Sequence, residues 1–344
     1  MDKKKIGVIF GGRSSEYEVS LLSAASVIEN IDRDKYDLIF IGITRDGAWK
    51  HYKGDPSAIA EDRWEESAAP LNIGALKELI DFALPIMHGP YCEDGKIQGL
   101  LEMLDIPYGG CGVMASSVAM DKQIAKQVFA EAGLPVCRHA FVTRSELTDE
   151  METTLDRVEH ALGYPCFIKP ANMGSSVGVS KAKNRDDLKA GLLLALQYDS
   201  RIVVEEFIEC RELETGILGN DYPQAAEVGE ILPSAEFYDY DDKYKSGTSK
   251  LCIPAEISPK TREEIRMLAV KAYKAVGGEG FSRVDFFIDK KTGRVLLNEI
   301  NTIPGFTKFS MFPLLWEAAG VKYQDTIERI IELGYERYNI KNSR

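Results

Sequence analysis

Residues 281–305 alternate apolar and polar side chains with a period of two, a pattern that no amphipathic helix shares. The pattern predicts two β-strands joined by a turn at 290–293. Side chains two residues apart lie on one face of a strand. If the strands pair, Asp285, Glu299 and Asn301 therefore lie together, with Arg283 beside them. Such oxygen ligands suit Mg²⁺, which completes its shell with water and phosphate oxygens; the alternative is a surface hairpin whose charges are merely solvated.

The size and charge of the chain limit the classes of protein to consider. Its 344 residues predict two or three domains. The net charge is −12, and the longest basic run is the three lysines at positions 3–5. Both observations argue against a nucleic-acid partner. The sequence contains no run of about 18 consecutive apolar residues, so no membrane span is predicted. The first strand begins near Ile6 without a signal peptide, and the scattered cysteines resemble reduced thiols. We therefore expect a cytoplasmic protein with no membrane partner.

The first 118 residues alternate strands and helices. Strands are predicted at 6–10, 36–43 and 82–89, which indicates a small parallel α/β domain with ligands at the carboxyl ends of its strands. Residues 45–80 are predicted as a polar excursion with one short helix near 76–80. The glycine turn after the first strand is not G-x-G-x-x-G, which disfavours a nicotinamide dehydrogenase. His88 follows the third strand, either as a functional residue or as a structural histidine.

Two stretches of the middle of the chain indicate a nucleotide. A strand ending at Lys169 leads into a Gly/Ser loop, 170–180, whose backbone N–H groups would cradle phosphates unless it is an ordinary hairpin turn. A strand predicted at 202–209 runs into Glu-Glu-Phe-Ile, whose backbone edge and carboxylate would face an adenosine unless the strand simply ends at the surface. Arg211–Leu218 is predicted to continue that sheet. Residues 236–250 mix tyrosines, charges and glycine, as a lid over a substrate does.

The order of these motifs resembles the D-alanine–D-alanine ligase family of the ATP-grasp superfamily over nearly the whole chain. The matching stretches are GGRSSEYEVS, MHG…EDGKIQGLLE, IPYGG…ASSVAMDK, FIKPANMGSSVGVSK, EEFI…REL, EFYDYDDKY, RVDFF and NEINTIPGFT. The resemblance implies an α/β, three-domain ATP-grasp architecture. An N-terminal parallel α/β domain would span 1–118, a central α+β domain 119–208, and a C-terminal α+β domain 209–344 with the lid at 236–250.

The resemblance also implies a reaction. ATP would phosphorylate the carboxylate of one D-alanine, and the amine of a second would attack the acyl phosphate, giving D-alanyl-D-alanine for peptidoglycan precursors. Two Mg²⁺ ions, with Mn²⁺ as an alternative, would assist. The family further suggests a homodimer formed through the N-terminal half.

The resemblance assigns site residues by position. The ATP-binding set is Lys122, Lys169, Ser176, Glu205, Glu206, Phe207, Ile208, Glu212, Lys243 and Asn298, with Glu205, Phe207 and Ile208 at the adenine and Glu212 at the ribose. The metal ligands are Asp285, Glu299 and Asn301. The catalytic set is Glu16, Ser175, Tyr244, Arg283 and Gly305. The substrate set is Glu16, Val19, His88, Arg283, Gly305, Ser310 and Met311.

Specificity depends on a few of these positions. Lys243-Tyr244 and Met311 resemble the D-alanine pattern rather than that of D-lactate or D-serine relatives. The family pattern H-G-x-x-G-E-D-G departs here to Pro90-Tyr91-Cys92 before the acidic pair, beside the first substrate. This departure keeps another ATP-grasp amino-acid or peptide ligase as an alternative. A non-catalytic ATP-binding protein is the remaining alternative, although no metal ligand or Arg283 is lost.

Overall fold

The computed structural model describes residues 3–232 and 250–343. Its first sheet has the order β4-β3-β2-β1-β5, and β1 pairs in parallel with both β2 and β5. The elements are β1 (Lys4–Gly11), α1 (Tyr17–Asn30), β2 (Tyr36–Ile43), β3 (Trp49–Tyr52), α2 (Ser57–Ala60), β4 (Ala69–Pro70), α3 (Leu76–Leu79), β5 (Phe82–Pro85) and α4 (Lys96–Met103). The parallel centre agrees with the predicted α/β fold.

The edge of this sheet differs from the prediction for residues 45–80. That segment contains the antiparallel edge strands β3 and β4 and more than one short helix. Strands of four and two residues are too short to show a period in the sequence. The prediction of a single helix there was therefore wrong.

The central part of the chain forms a second, antiparallel sheet with the order β6-β9-β7-β8. Its elements are α5 (Val113–Met120), α6 (Lys122–Glu131), β6 (His139–Thr143), α7 (Arg144–Asp149), α8 (Met151–Leu162), β7 (Cys166–Pro170), β8 (Ser180–Ala182), α9 (Arg185–Ala195) and β9 (Arg201–Glu206). Asp121 caps α6 by accepting the backbone N–H groups of Gln123 and Ile124, at 3.0 and 3.1 Å. The cap fixes the start of α6, which contacts the Gly/Ser loop at 170–180.

The third sheet is antiparallel and has the order β12-β11-β10-β13-β14. Its elements are β10 (Cys210–Leu218), β11 (Gln224–Leu232), β12 (Lys250–Cys252), α10 (Pro259–Ala275), β13 (Phe281–Asp289), β14 (Val295–Asn301), α11 (Met311–Ala318) and α12 (Tyr323–Asn342). The prediction that Arg211–Leu218 continues the sheet of β9 was wrong. Strands β6 and β7 occupy both edges of β9, so β10 cannot pair with β9, and it pairs instead with β11 and β13 in the third sheet.

The pairing of β13 with β14 confirms the predicted hairpin. Arg283 lies opposite Asn301, and Asp285 lies opposite Glu299. The register then shifts by one, because Phe286 pairs with Leu297 and leaves Asn298 as the extra residue. The bulge turns Asn298 toward the cleft described below.

Three hydrophobic clusters accompany the three sheets. The central cluster draws only on residues 140–204. The first cluster instead joins the N-terminal sheet to α11 and α12 through Phe312, Ile327, Ile330 and Ile331. The domain limits at 118 and 208 remain predictions. Among the described residues, no helix is both long and apolar enough to cross a membrane.

Candidate active site

A cleft of about 1210 Å³ lies where the three sheets meet. It collects most of the predicted site residues: Glu16, His88, Lys122, Lys169, Ser175, Ser176, Glu205, Glu206, Phe207, Ile208, Glu212, Arg283, Asn298, Glu299, Asn301, Gly305, Ser310 and Met311. Val19 is buried on α1 and does not line the cleft, and Asp285 lies behind its surface. Lys243, Tyr244 and the predicted lid at 236–250 fall outside the described residues, except for the strand residue Lys250.

Glu16 links the first sheet to the Gly/Ser loop. Ser175 Oγ donates a hydrogen bond of 2.5 Å to Glu16 Oε1. Glycines stand on two sides of the carboxylate: a Cβ built on Gly89 would come within 2.6 Å of Glu16 Oε2, and one on Gly174 within 2.8 Å. Only glycine permits this approach, so the two loops are shaped around the Glu16 carboxylate.

The Gly/Ser loop is wound tightly and tied to α6. Ser175 and Ser176 both have left-handed backbones, with φ of 49° and 60°. Lys122 Nζ donates to the carbonyl of Met173 at 2.7 Å, and the Lys122 N–H donates to Ala171 at 3.0 Å. The loop therefore presents its serines from a fixed base beside a lysine, as a phosphate cradle requires.

Arg283 is held between two carboxylates. Its Nε lies 2.9 Å from Glu214 Oε2, and its Nε and Nη2 each donate 2.7 Å bonds to Asp285. Asn301 Nδ2 also donates to Asp285 Oδ2 at 2.8 Å. The sequence interpretation missed Glu214. The signal was present, because Glu212 and Glu214 are two apart on β10 and share a face.

The predicted metal ligands meet at the paired ends of β13 and β14. Asp285 and Glu299 face each other across the ladder, and Asn301 adds an amide oxygen. Two carboxylates and an amide oxygen are the donor types that a hard cation such as Mg²⁺ takes, although both Asp285 oxygens here accept hydrogen bonds from Arg283. Lys122 Nζ lies 3.6 Å from Glu299 Oε2, which places this lysine beside one of the predicted metal ligands. Within 3–232 and 250–343, no group of three His, Cys, Asp or Glu side chains is arranged for a metal, so Asn301 is essential to the predicted set.

The Glu205 carboxylate forms ion pairs with two lysines instead of facing an adenine base alone. Its two oxygens lie 2.7 Å from Lys126 Nζ and 2.6 Å from Lys169 Nζ. Burial opposes ionisation, but the two ammonium groups hold the pKa of Glu205 well below its usual range. Burial likewise opposes the charge of Lys169, yet Glu205 raises the pKa of Lys169. The predicted adenine role of the Glu205 side chain is thus joined by an ion-pair role that the sequence did not show.

The segment after β9 forms the far wall of the cleft. Phe207 packs against Phe167 with ring centroids 5.9 Å apart, and Lys181 Nζ lies 3.9 Å from the Phe207 ring centroid. Glu206 turns to Arg138, whose Nε donates a 2.7 Å bond to it. This wall offers an aromatic face to the cleft, which suits a flat heterocycle.

His88 uses both ring nitrogens within the protein. Nδ1 lies 3.0 Å from the carbonyl of Ile303 and so donates to it, while Nε2 accepts from Ser23 Oγ at 3.0 Å. Ser23 Oγ in turn accepts the Phe306 N–H at 3.2 Å. Burial lowers the pKa of His88. These bonds end at Ile303 and Phe306, on either side of Gly305. His88 therefore fixes this segment, called the glycine loop below, and has no nitrogen left for a substrate.

Glu93 was not predicted, although it lines the cleft. The Gly89 N–H donates to Glu93 Oε1 at 2.7 Å. Burial, and then the nearby Glu16 carboxylate, raise the pKa of Glu93 to about 8. The Glu-Asp-Gly sequence at 93–95 could have marked Glu93 as a site residue. Its interaction with Glu16 could not be predicted, because the two residues are far apart in the sequence.

The unusual loop residues beside Glu93 are accommodated without displacing it. Tyr91 takes a left-handed backbone with φ of 72°, and Arg13 and Lys96 lie over its ring at 5.3 and 5.0 Å. The Cys92 side chain is buried in the first core cluster, and burial raises the pKa of its thiol. The thiol therefore acts as a small apolar side chain.

Ser310 and Met311 close the cleft beyond Gly305. Ser310 Oγ accepts the Thr307 N–H at 3.0 Å, and a Cβ on Gly305 would lie 3.1 Å from Ser310 Oγ. Met311 begins α11 and packs against β11 at Gly229. The glycine loop is thus fixed at one end by His88 and at the other by Ser310.

Known proteins match the chain along its length. The family model described as "D-ala D-ala ligase N-terminus" matches residues 5–111, and "D-ala D-ala ligase C-terminus" matches 128–332. A D-alanine–D-alanine ligase of Acetivibrio thermocellus is 46% identical over 98% of this chain and 97% of its own length. One from Clostridium novyi is 48% identical over 98% and 99%.

Solved structures agree with these matches. The VanG D-Ala:D-Ser ligase from Enterococcus faecalis superposes with a TM-score of 0.89 and 38% identity, over 97% of this chain and 100% of that one. The D-alanine–D-alanine ligase from Coxiella burnetii gives 0.88 and 33%, over 100% and 97%.

Proposed function

Because the chain belongs to the D-alanine–D-alanine ligase family, we propose how the residues of its own cleft carry out that family's reaction. The chain is a ligase that joins D-alanine to D-alanine, and the dipeptide serves the synthesis of cell-wall precursors. ATP use follows from the family. The observation that carries the residue assignments is the meeting of Glu16, Lys169 and Arg283, from three different sheets or their loops, in one cleft.

The phosphate end of the cleft is the Gly/Ser loop with its two lysines. We assign ATP phosphates to Ser175, Ser176, Lys122 and Lys169, because phosphoryl transfer depends mainly on positioning and on neutralising charge. Asp285, Glu299 and Asn301 would hold Mg²⁺, which when bound supplies charge neutralisation at the phosphate oxygens. The number of ions and the use of Mn²⁺ are proposals that the family alone suggests.

The nucleoside end is assigned to the segment that follows β9. Phe207 and Ile208 would face the adenine, with Glu205 at its inner side and Glu206 at the outer rim. Glu212, on the cleft face of β10, would bind the ribose, and Asn298 would reach the nucleotide from the β14 bulge. The aromatic wall at Phe207 supports this orientation.

The D-alanine end lies between Glu16 and Arg283. The ammonium of the first D-alanine needs a carboxylate, and Glu16 is fixed for it by Ser175. Arg283, oriented by Glu214 and Asp285, would stabilise the oxyanion that forms when the second amine attacks the acyl phosphate. The N–H of Gly305 would be the second donor. Lys243 and Tyr244 keep their proposed roles on the resemblance alone.

The second D-alanine would lie near Ser310 and Met311. Met311 offers no hydrogen-bond donor for a serine hydroxyl, which favours D-alanine there. The likeness to a D-Ala:D-Ser ligase from Enterococcus faecalis makes D-serine the competing second substrate. We also propose a homodimer in the cytoplasm without a nucleic-acid partner.

The test is phosphate release from Mg·ATP with D-alanine, D-serine, D-lactate or L-alanine, singly and in pairs, with products identified by mass. D-alanyl-D-alanine as the main product is the expected result. D-alanyl-D-serine as the main product would overturn the Met311 assignment and keep the mechanism. Absence of any D-product, with ATP still bound, would overturn the assigned function.

A further inference from the structure

A second lysine of α6 is buried without a role in the reaction described above. Lys126 follows Lys122 by one helical turn, so both project from the same face of α6. The side chain of Lys126 is only 2% exposed. Its ammonium contacts Glu205 Oε1 at 2.7 Å and Cys137 Sγ at 3.6 Å. A buried ammonium is costly unless it is paired, so this position must be explained.

Glu205 transmits the position of Lys126 to Lys169. One carboxylate oxygen contacts Lys126 and the other contacts Lys169, at 2.7 and 2.6 Å. A carboxylate is planar, so fixing one oxygen from α6 fixes the direction of the other. Lys169 Nζ therefore lies at the point that Lys126 and Glu205 together define. With two cations on one anion, the trio keeps a net positive charge on the phosphate side.

We propose that Lys126 is a positioning residue for the phosphates of the bound adenine nucleotide, acting through Glu205 on Lys169. The inference rests on the proposed function only in taking Lys169 as a phosphate ligand. Lys126 itself does not line the cleft, whereas Glu205 and Lys169 do. Without Lys126, Glu205 would pair with Lys169 alone, draw its ammonium inward, and cancel the positive charge offered to phosphate.

The arrangement of the trio separates this role from one of simple packing. Lys126 and Lys169 come from different elements, α6 and β7, and meet only through Glu205 on β9. Packing alone would affect the nucleoside and phosphate ends alike. A role through Lys169 would weaken chiefly the ligands that carry phosphates, because Glu205 keeps its Lys169 partner and with it its place beside the adenine.

The test compares ADP with adenosine by isothermal titration calorimetry on the full chain with Mg²⁺ present. In Lys126→Met, which removes the charge and keeps most of the volume, we expect the affinity for ADP to fall about tenfold, within the coupling range of contacting residues. The affinity for adenosine should change by less than about twofold, near the error of additivity. An equal loss for both ligands, or no loss for ADP, overturns the proposal.

Two companions make the result specific. Lys189→Met removes an exposed lysine paired with Glu152 in the same sheet's domain and should leave both affinities unchanged. In the Glu205→Gln background, Lys126→Met should have little further effect on ADP, because the transmitting carboxylate is already gone; full additivity overturns the proposal. If Lys126→Met does not fold, Lys126→Gln keeps a donor to Glu205 and is judged by the same comparison.

Failure of the assigned function gives a different result. A wild-type chain that makes no D-dipeptide but binds ADP more tightly than adenosine overturns the ligase assignment and leaves Lys126 to the comparison above. A wild-type chain that binds ADP no more tightly than adenosine overturns the Lys126 inference itself.

Discussion

Arg283 is a cation shared by two buried acids, and this sharing fixes its direction. Glu214 and Asp285 approach it from neighbouring strands, β10 and β13. A guanidinium gripped in this way cannot follow a substrate, so its remaining donors stay directed at one point of the cleft. Such preorganisation is what stabilises a transient oxyanion.

Replacing Arg283 should therefore lower turnover, and it should also lower stability, because Glu214 and Asp285 lose the cation that they share. In Arg283→Met we expect kcat for dipeptide formation to fall about 100- to 1,000-fold, the usual loss when one oxyanion donor is removed. The half-buried Arg266, which pairs with Glu263 outside the cleft, provides the control, and Arg266→Met should keep the wild-type kcat. Steady-state kinetics measure both variants, and wild-type turnover in Arg283→Met would contradict the assignment.

Glu93 should make the stability of the ligand-free protein depend on pH. Its pKa is raised to about 8 by burial and by Glu16, so the folded chain binds a proton that the unfolded chain releases above its ordinary pKa of 4.5. Stability due to this group is complete below pH 4.5 and is lost as pH rises toward 8. Urea unfolding of Glu93→Gln should show a weaker decline across that window; an identical decline would exclude Glu93 as the cause.

At the level of loops, the Gly/Ser segment and the loop after β5 converge on one carboxylate. A methyl group on Gly174 would come within 2.8 Å of Glu16 Oε2. We expect Gly174→Ala to displace Glu16 and lower kcat/KM for D-alanine about 10- to 100-fold, as small misplacements of catalytic groups do. Measuring kcat/KM with D-alanine varied and ATP saturating tests this.

The matched control is Gly99 on α4, where an added Cβ meets nothing within 4 Å. Gly99→Ala should keep full activity and gain roughly 0.5–1 kcal/mol in stability, since alanine loses less backbone entropy in a helix. If both alanine variants lost activity equally, close approach at Gly174 would not be the reason.

The elements of the fold were predictable where the sequence period is long. The hairpin at 281–301 and the long helices were predicted because alternation or helical spacing extends over several turns or strand residues. The bulge at Asn298 was not predictable, because a one-residue register shift leaves no local signal. The new sheet at β10 was missed because it depends on β6 and β7 occupying both edges of β9.

The site divides in a similar way. Residues within a motif, such as Arg283 and Asp285 or Lys169 and Ser175, were found together. Partners from distant segments were not: Lys126 and Glu205 are separated by most of the central domain, and their contact appears only in three dimensions. Lys126 did carry one local signal, its spacing of four from Lys122, which placed it on the same helix face.

At the scale of the whole molecule, the Ser175–Glu16 bond is a bridge between two sheets' domains. It joins the Gly/Ser loop at 170–180 to the residue just before α1. We expect Ser175→Ala to loosen this closure, so that water reaches the acyl phosphate. The ratio of phosphate released to dipeptide formed should rise above about one, the value of a coupled ligase. A ratio unchanged at saturating D-alanine would show that the bridge does not exclude water.

The first core cluster affects how the chain can fold while it is being synthesised. Its N-terminal sheet is covered by residues of α11 and α12, such as Ile327 and Ile330, which lie near the other end of the sequence. On a ribosome these helices emerge after the whole central domain, so the N-terminal sheet must remain partly uncovered while the central domain, whose core is contiguous, can already fold. The central domain would therefore fold first, and the N-terminal sheet would complete its core only after α11 and α12 have been synthesised.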